Sequence, residues 1–222
     1  MAKNILTYNL AEPLNSATTV RIDIHAGDGN LTIDRITGGE QMLASGTLQY
    51  FEKQGPPTRS LVSSNGQAAL TLRGGAAGQP WFRLPWAACN GATEWQVHIN
   101  PEVSSHIKAH SDGGNLKLDL AGMTVTRIAA DTGGGNVEVT LPDSVADLNV
   151  IAKTGAGNVT VHIPHGVAAR IHATSGLGKA IIDPQFSKTD QNTYQSPDFD
   201  SAFNRVEITI QSGAGNVSVN TK

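Results

Sequence analysis

Apolar and polar residues alternate along most of this chain, and glycine-rich turns interrupt the alternation at regular intervals. An apolar residue at every second position is typical of a strand with one buried face and one solvent-facing face. No stretch of eleven or more residues shows the 3.6-residue period of a helix. The pattern therefore predicts an all-β chain with little helix.

Six segments repeat the same arrangement of strand, glycine turn and strand, which we call a rung. Apolar positions such as Ile128 and Ala130 before the turn, and Val137 and Val139 after it, share one phase. Both strands of a rung therefore face a common interior, which one rung cannot enclose alone. The six turns are Ala26-Gly-Asp-Gly-Asn30, Ser111-Asp-Gly-Gly-Asn115, Thr132-Gly-Gly-Gly-Asn136, Thr154-Gly-Ala-Gly-Asn158, Ser175-Gly-Leu-Gly-Lys179 and Ser212-Gly-Ala-Gly-Asn216.

The spacing of the turns gives the length of one rung. From Gly114 onward the equivalent glycines follow after 21, 22, 21 and 37 residues, and 21 residues suffice for two strands and two turns. We therefore predict a solenoid-like, β-helix-like stack of strands with about 21 residues per rung. The equivalent glycines are Gly29, Gly114, Gly135, Gly157, Gly178 and Gly215.

The turn residues have a structural interpretation. Glycine supplies positive φ and permits close approach of the backbone at a sharp corner. The asparagine that follows in five turns either forms a hydrogen-bonded ladder between rungs or bonds within its own turn. Calcium-loaded β-rolls need a carboxylate in nearly every turn, whereas here only Asp28 and Asp112 lie within turns. The five asparagines are Asn30, Asn115, Asn136, Asn158 and Asn216.

The N-terminal part, residues 1–100, is less regular than residues 101–222. Residues 42–72 predict further strands, with a hairpin turn at Asn65-Gly66, and residues 183–204 form a polar excursion within the last, longest step. Since no linker divides the chain, we predict a single domain over residues 1–222.

An aromatic loop at residues 74–93 interrupts the pattern. Together with Trp95 it holds four of the eleven aromatic residues within fifteen positions. Large apolar side chains in such a loop either cap the open end of a solenoid core or contact a partner. In the second case Trp81, Phe82 and Trp86 are the expected anchors and Arg83 is the polar group beside them.

Charge and cysteine usage limit the partners and compartments. A net charge of −3 gives no argument for nucleic acid or an anionic membrane surface. Cys89 is the one cysteine, so no internal disulfide forms. The sequence shows no apolar run of membrane-spanning length and no signal-peptide core at its start. We expect a soluble chain, either cytoplasmic or the soluble part of an envelope-associated protein.

No residue pattern indicates catalysis or a cofactor. Four histidines, His25, His110, His162 and His172, have the outward phase and could lie near one another, but no ligand spacing defines a metal site. We therefore predict no metal, no cofactor and no enzymatic activity, because the outward residues form no acidic groove. Those outward positions are Lys117, Glu138, Thr160 and Ser218 in one row and Asp119, Thr140, His162 and Asn220 in the next.

Several stretches resemble a known family. Ala130-Asp-Thr-Gly-Gly-Gly-Asn-Val-Glu-Val-Thr-Leu-Pro142 and Thr154-Gly-Ala-Gly-Asn-Val-Thr-Val-His-Ile-Pro164 resemble the toast-rack domains of bacterial cell-wall-active antibiotic response (LiaF-like) proteins and related adhesin families. The closing segment, from Tyr194-Gln-Ser-Pro-Asp-Phe199 onward, resembles the same family. The resemblance implies a toast-rack stack of strands over almost the whole chain and a link to envelope-stress signalling. It brings no catalytic residue with it.

Two functions stay open on this basis. One is a non-catalytic interaction or sensory module with a protein partner in the envelope-stress response. The other is an adhesin-like or structural repeat protein that associates with itself through its ends or outer face. A carbohydrate-active enzyme on a β-solenoid is a third alternative.

Overall fold

The computed structural model describes residues 4–38, 41–74 and 93–222, most of which lie in strands. One 3-10 turn, Glu52–Gln54, is the only helical segment in these ranges, so the all-β prediction is confirmed. The same ranges contain no helix with the length and apolarity to cross a membrane. The strands are β1 Ile5–Pro13, β2 Thr19–His25, β3 Asn30–Arg35, β4 Met42–Phe51, β5 Thr58–Ser64, β6 Gln67–Arg73, β7 Glu94–Ile99, β8 Ser104–Ser111, β9 Leu116–Asp119, β10 Val125–Thr132, β11 Val137–Thr140, β12 Leu148–Thr154, β13 Val159–Ile163, β14 Ala168–Ser175, β15 Ala180–Ile182, β16 Ser187–Asp190, β17 Thr193–Gln195, β18 Arg205–Ser212 and β19 Val217–Thr221.

The described strands form two sheets, and each rung contributes one strand to each sheet. The first sheet has the order β1-β4-β7-β3-β9-β11-β13-β19-β15, and the second has the order β16-β17-β14-β18-β12-β10-β8-β2-β6-β5. Strands from neighbouring rungs pair in parallel and in register, so Val137 lies between Leu116 and Val159. The sheets are therefore stacks of equivalent residues, as the repeat predicts.

The core lies between the two sheets. The inward positions predicted from the alternation, among them Ile128, Val150 and Val161, are fully buried and join a single apolar cluster. Most rungs add buried aliphatic side chains to this cluster from both of their strands, whereas β15 contributes only the partly buried Ile182. Burial of apolar area is the main favourable term in folding, so the stability of a rung depends on its neighbours.

The spatial order of the rungs departs from their order in the sequence. The last rung, β18 and β19, lies between the rung of β12 and β13 and the rung of β14 and β15. The polar excursion at residues 183–204 contains the short hairpin β16–β17, whose strand β17 pairs antiparallel with β14. The long final step of 37 residues thus provides the covering hairpin and the chain that leads back to the inserted rung.

The N-terminal half contains one further rung that lacks the glycine signature. Strand β6 pairs in parallel with β2, and β7 pairs in parallel with β3. The corner of this rung falls between Gly74 and Thr93, where residues 75–92 stand in place of a short turn. The hairpin predicted at Asn65-Gly66 is confirmed, because both residues have positive φ and Ser64 pairs with Gln67.

Trp95 is close to the aromatic loop in the sequence, but its side chain belongs to the core. Its side chain is fully buried on β7, and its indole N–H donates to the carbonyl oxygen of Gln49 at 2.9 Å. Buried tryptophan normally needs such a polar partner. Trp95 therefore supports the stack near its N-terminal end.

Candidate functional site

The glycine turns of the rungs lie one above another and form a ridge along the stack, which we call the corner ridge. A Cβ atom on Gly135 would lie 2.0 Å from the carbonyl oxygen of Gly114 in the next turn, far inside van der Waals contact. The φ of Gly135 is outside the left-handed region, so the expectation of positive φ is wrong at this position. Close approach of the neighbouring backbone is the reason that glycine is required.

The asparagines form a continuous ladder along the corner ridge. The side-chain oxygen of each accepts the backbone N–H of the equivalent residue in the next rung at 2.8–3.0 Å. Of the two arrangements that the sequence left open, the ladder between rungs is therefore present. At one end the amide nitrogen of Asn30 donates to Glu94 at 2.7 Å. The order of the ladder is Asn30, Asn115, Asn136, Asn158, Asn216 and Lys179.

A second ladder of buried hydroxyl groups runs beneath the asparagines. Thr154 is typical, since its hydroxyl donates to the carbonyl oxygen of Gly135 at 2.7 Å and accepts the N–H of Gly157 at 3.2 Å. In the sequence, a Ser or Thr opens five of the six turns. This recurrence could have predicted the hydroxyl ladder, but the role of these residues was missed. Its members are Ser111, Thr132, Thr154, Ser212 and Ser175.

The four aromatic-loop residues named as possible anchors, Trp81, Phe82, Arg83 and Trp86, lie outside the described residues. The two ends of the segment are described. The backbone N–H of Gly74 donates to the carbonyl oxygen of His25 at 2.7 Å, and the carbonyl oxygen of Thr93 accepts the N–H of Asn30 at 2.8 Å. Gly74 and Thr93, which flank residues 75–92 in the sequence, therefore both lie at the corner ridge, beside the first glycine turn.

The structure brings together two of the four outward histidines. His25 and His110 are register partners on β2 and β8, and their rings meet edge to face with centroids 4.5 Å apart. Both rings lie within hydrogen-bonding distance of Asp112, their Nε2 atoms being 3.1 and 3.3 Å from its Oδ1. The other ring nitrogen of His110, Nδ1, is 3.2 Å from Oδ2 of Asp131. These four side chains, which we call the histidine cluster, adjoin the corner ridge.

The electrostatics of the histidine cluster favour an ionised carboxylate. Partial burial acts to raise the pKa of Asp112, but hydrogen bonds and charge interactions with His25 and His110 outweigh it and lower the pKa. Asp112 is therefore a carboxylate over the whole neutral range. One ligand atom from each of His25, His110 and Asp112 lies within 4.8 Å of the others, so these three residues could hold a metal ion.

The remaining two outward histidines lie apart from the cluster. His162 is on the other sheet, 3.5 Å from Glu138, and burial, Lys222 and Lys117 lower its pKa against the opposing effect of Glu138. His172 is on β14, where its nearest polar partner is the hydroxyl of Thr193 at 3.5 Å. The alternation in the sequence correctly placed all four histidines on outer faces. It could not show that His25 and His110 meet whereas His162 and His172 lie apart.

The outer face of the nine-stranded sheet carries the mixed rows expected from the alternation. Lys117, Glu138 and Thr160 are register neighbours, and so are Asp119, Thr140 and His162. Acidic, basic and hydroxyl side chains follow one another along each row. Among the described residues this face therefore has no continuous acidic groove of the kind that a glycoside hydrolase or lyase needs.

Rungs in parallel register, a glycine corner ridge and two internal polar ladders define a class of stacked-strand repeat domains. The family model for the N-terminal domain of toast_rack, DUF2154, matches residues 2–162. The chain therefore belongs to the toast-rack family.

One solved structure shows the same fold. A candidate cell adhesion protein from Clostridium sporogenes superposes with a TM-score of 0.87 at 20% identity, covering 99% of this chain and 100% of that chain. A candidate adhesin from Bacteroides fragilis aligns over 99% of this chain and 98% of its own with a TM-score of 0.31 at 11% identity, which is too weak for structural comparison. No curated protein matches this chain.

Proposed function

We propose that this chain is a non-catalytic interaction domain whose rack of strands presents residues 75–92 to a protein partner. The observation that carries the proposal is the anchoring of Gly74 and Thr93 at the corner ridge. The six glycine corners are short turns that the two ladders link. One rung has an 18-residue segment in place of such a turn, and the scaffold holds both ends of that segment, which is how binding loops are usually supported.

The composition of that segment fits a contact surface. Trp81, Phe82 and Trp86 supply aromatic side chains of the type that dominates binding energy at interfaces, and Arg83 supplies a polar group of the same preference. The corner ridge offers few acceptors for recognition, because the side-chain oxygens of its asparagines and its hydroxyl groups are already bonded to neighbouring rungs. Because the family resemblance implies a link to envelope-stress signalling, we propose a protein of that response as the partner.

Self-association is a second candidate, favoured by one edge of the stack. Strand β15 is the terminal strand of the nine-stranded sheet, and among the described strands it pairs with β19 alone. Leu177 in the preceding turn is 86% exposed, and Ile181 on the strand is 53% exposed. An uncovered strand edge with apolar side chains is a template for pairing with a second copy. The adhesion-related name of the Clostridium sporogenes protein is compatible with this candidate.

Site-specific crosslinking tests the first proposal. A photo-crosslinking amino acid is placed at position 82 in bacterial cells that produce the chain, and the control is placed at Thr160 on an outer sheet face. We expect one protein to crosslink at position 82 only, and the double variant Trp81→Ala/Trp86→Ala to abolish that product. Equal crosslinking from both positions would contradict the proposal.

The molar mass and thermal stability of purified variants separate the alternatives. Self-association through β15 predicts a dimer or larger species that Leu177→Ser/Ile181→Ser converts to a monomer. Core capping by the aromatic loop predicts a large fall in Tm for Trp81→Ala/Trp86→Ala. A partner-binding segment predicts an unchanged Tm and an unchanged mass for that double variant.

A further inference from the structure

We propose that His25, His110 and Asp112 form a binding site for one divalent transition-metal ion, of which Zn²⁺ fits best. The site lies on the outer face of the ten-stranded sheet, where β2 and β8 reach the corner ridge. It does not depend on the proposed function, because none of its residues belongs to the segment at 75–92.

The spacing of the ligand atoms suits a small ion. Oδ1 of Asp112 is 3.1 Å from Nε2 of His25 and 3.3 Å from Nε2 of His110, and the three ligand atoms lie within 4.8 Å of one another. Ligand atoms bound tetrahedrally at zinc-like distances stand about 3.3 Å apart. Two imidazoles and one carboxylate would fill three positions, which leaves the fourth to a solvent molecule.

Asp131 orients one of the ligands. Its Oδ2 is 3.2 Å from Nδ1 of His110, so with an ion bound this carboxylate would hold a proton on Nδ1 and leave the lone pair on Nε2 free to bind the ion. Carboxylates that bind the outer nitrogen of a ligating histidine fix its tautomer and increase its basicity. Asp131 is therefore a positioning residue for the site.

The backbone holds the ligands in place before any ion arrives. His25, His110 and Asp131 are register neighbours on three parallel strands, so their separation is set by the sheet. The backbone N–H of Asp112 donates to the carbonyl oxygen of Gly27 at 2.6 Å, and this bond ties the second turn to the first. A pre-organised site loses less conformational entropy on binding than a flexible one.

The surrounding charges are compatible with a cation. Arg73 is the register neighbour of His25 on β6, but its guanidinium is paired with Asp23 at 3.4 Å. Lys153 is the register neighbour of Asp131 on the other side. Asp112 and Asp131 supply two carboxylates between these cations.

The donor set selects the type of ion. Imidazole nitrogen suits zinc, copper, nickel and iron, whereas calcium and magnesium prefer an all-oxygen set. Their outward phase made His25 and His110 candidates, but the sequence could not pair them, because they are 85 residues apart and no local motif links them. Parallel register places them side by side.

Isothermal titration of the full chain with ZnCl₂ at neutral pH tests the proposal. We expect one ion per chain, a loss of about 10-fold in affinity for Asp131→Asn and of at least about 100-fold when a ligand itself is removed in His110→Ala or Asp112→Asn. His172→Ala is the matched control, since it removes a histidine from the same sheet face at a distance from the cluster. CaCl₂ should give no saturable heat under the same conditions.

Two results would overturn the proposal: no saturable zinc binding by the wild-type chain, or wild-type affinity in the double variant His25→Ala/His110→Ala. A folding defect in any variant is detected by far-UV circular dichroism, and His25→Gln then serves as the milder substitution. Co²⁺ provides an independent signal, because its visible absorption should report a tetrahedral nitrogen–oxygen site that His25→Gln removes. The double variant Trp81→Ala/Trp86→Ala should bind zinc normally, so failure of the metal site and failure of the proposed function are distinguishable.

Discussion

The backbone N–H of Asn216 donates to the side-chain oxygen of Asn158 at 2.9 Å, although the two residues are 58 positions apart. The side-chain oxygen of Asn216 in turn accepts the backbone N–H of Lys179 at 3.0 Å. Asn216 thus connects the rung of β12 and β13 on one side with the rung of β14 and β15 on the other. Both of these rungs precede Asn216 in the chain. The last rung is a structural insertion that joins two parts of the stack.

This position of Asn216 leads to a prediction about stability. Asn216→Ala should lower the free energy of unfolding by about 1 kcal/mol, because one side-chain hydrogen bond is lost and the N–H of Lys179 becomes unpaired. The matched control is Asn220→Ala, which changes the same residue type on the exposed face of β19. Urea denaturation gives the free energy, and hydrogen exchange of the Lys179 amide gives the local effect. Equal destabilisation by both substitutions would refute the role of the ladder.

Two adjacent glycines in one turn should respond differently to alanine. Gly135→Ala should destabilise the fold by about 1–3 kcal/mol, as expected for overpacking against a neighbouring backbone. Its Cβ would meet the carbonyl oxygen of Gly114 at 2.0 Å. At Gly134 the nearest atom would be 3.9 Å away and φ is ordinary, so Gly134→Ala should be neutral or slightly stabilising. Thermal unfolding of the two variants measures the difference, and equal Tm values would exclude close approach as the reason for Gly135.

The buried hydroxyl ladder gives a third prediction. Thr154→Val keeps the shape of the side chain but leaves the carbonyl oxygen of Gly135 and the N–H of Gly157 without their hydroxyl partner. Unpaired buried groups of this kind cost about 1–3 kcal/mol each, so a clear loss of stability to denaturant should follow. Thr140→Val, which changes an outward threonine on β11, is the control and should have little effect.

The pH dependence of stability should include a contribution from His106. Burial, together with Arg21 and Arg127 on the flanking strands, lowers the pKa of His106 below its ordinary value of about 6.5. The unfolded chain therefore binds the proton more readily than the folded chain. Stability should rise as the pH increases from the lowered folded pKa toward about 6.5 and should then level off.

Proton titration by NMR measures this effect directly. The ring signals of His106 should give a midpoint below about 6.5, and Arg21→Gln should move that midpoint upward. His106→Gln should flatten the corresponding part of the stability profile. A midpoint above the ordinary value would show that the cationic neighbours do not act on the ring.

The sequence was sufficient for the local structure of this protein. Alternation of residues such as Val137 and Val139 identified the strands and their buried face, since period-two burial is a local property of a strand. The glycine turns gave the corners and the length of a rung. Their recurrence predicted stacking, because a single rung cannot bury its own apolar face.

Part of the corner chemistry was also readable. Asn136 and its equivalents were recognised as candidates for a ladder, but whether they bonded between rungs depended on register, which sequence alone does not state. The hydroxyl of Thr154 was visible at a fixed position of the turn and was overlooked. Two reasons were expected for the glycines, positive φ and close approach of the backbone, and at Gly135 only the close approach applies.

Tertiary structure decided the relationships between distant parts of the chain. The alternation in β14 and in β18 is the same, so no local signal reveals that the last rung lies between earlier ones. The rung of β6 and β7 was hidden because residues 75–92 replace its turn. His25 and His110 meet only through strand pairing, 85 residues apart in the sequence. Periodicity determines what each segment becomes, whereas the order in which equivalent segments stack is a property of the whole fold.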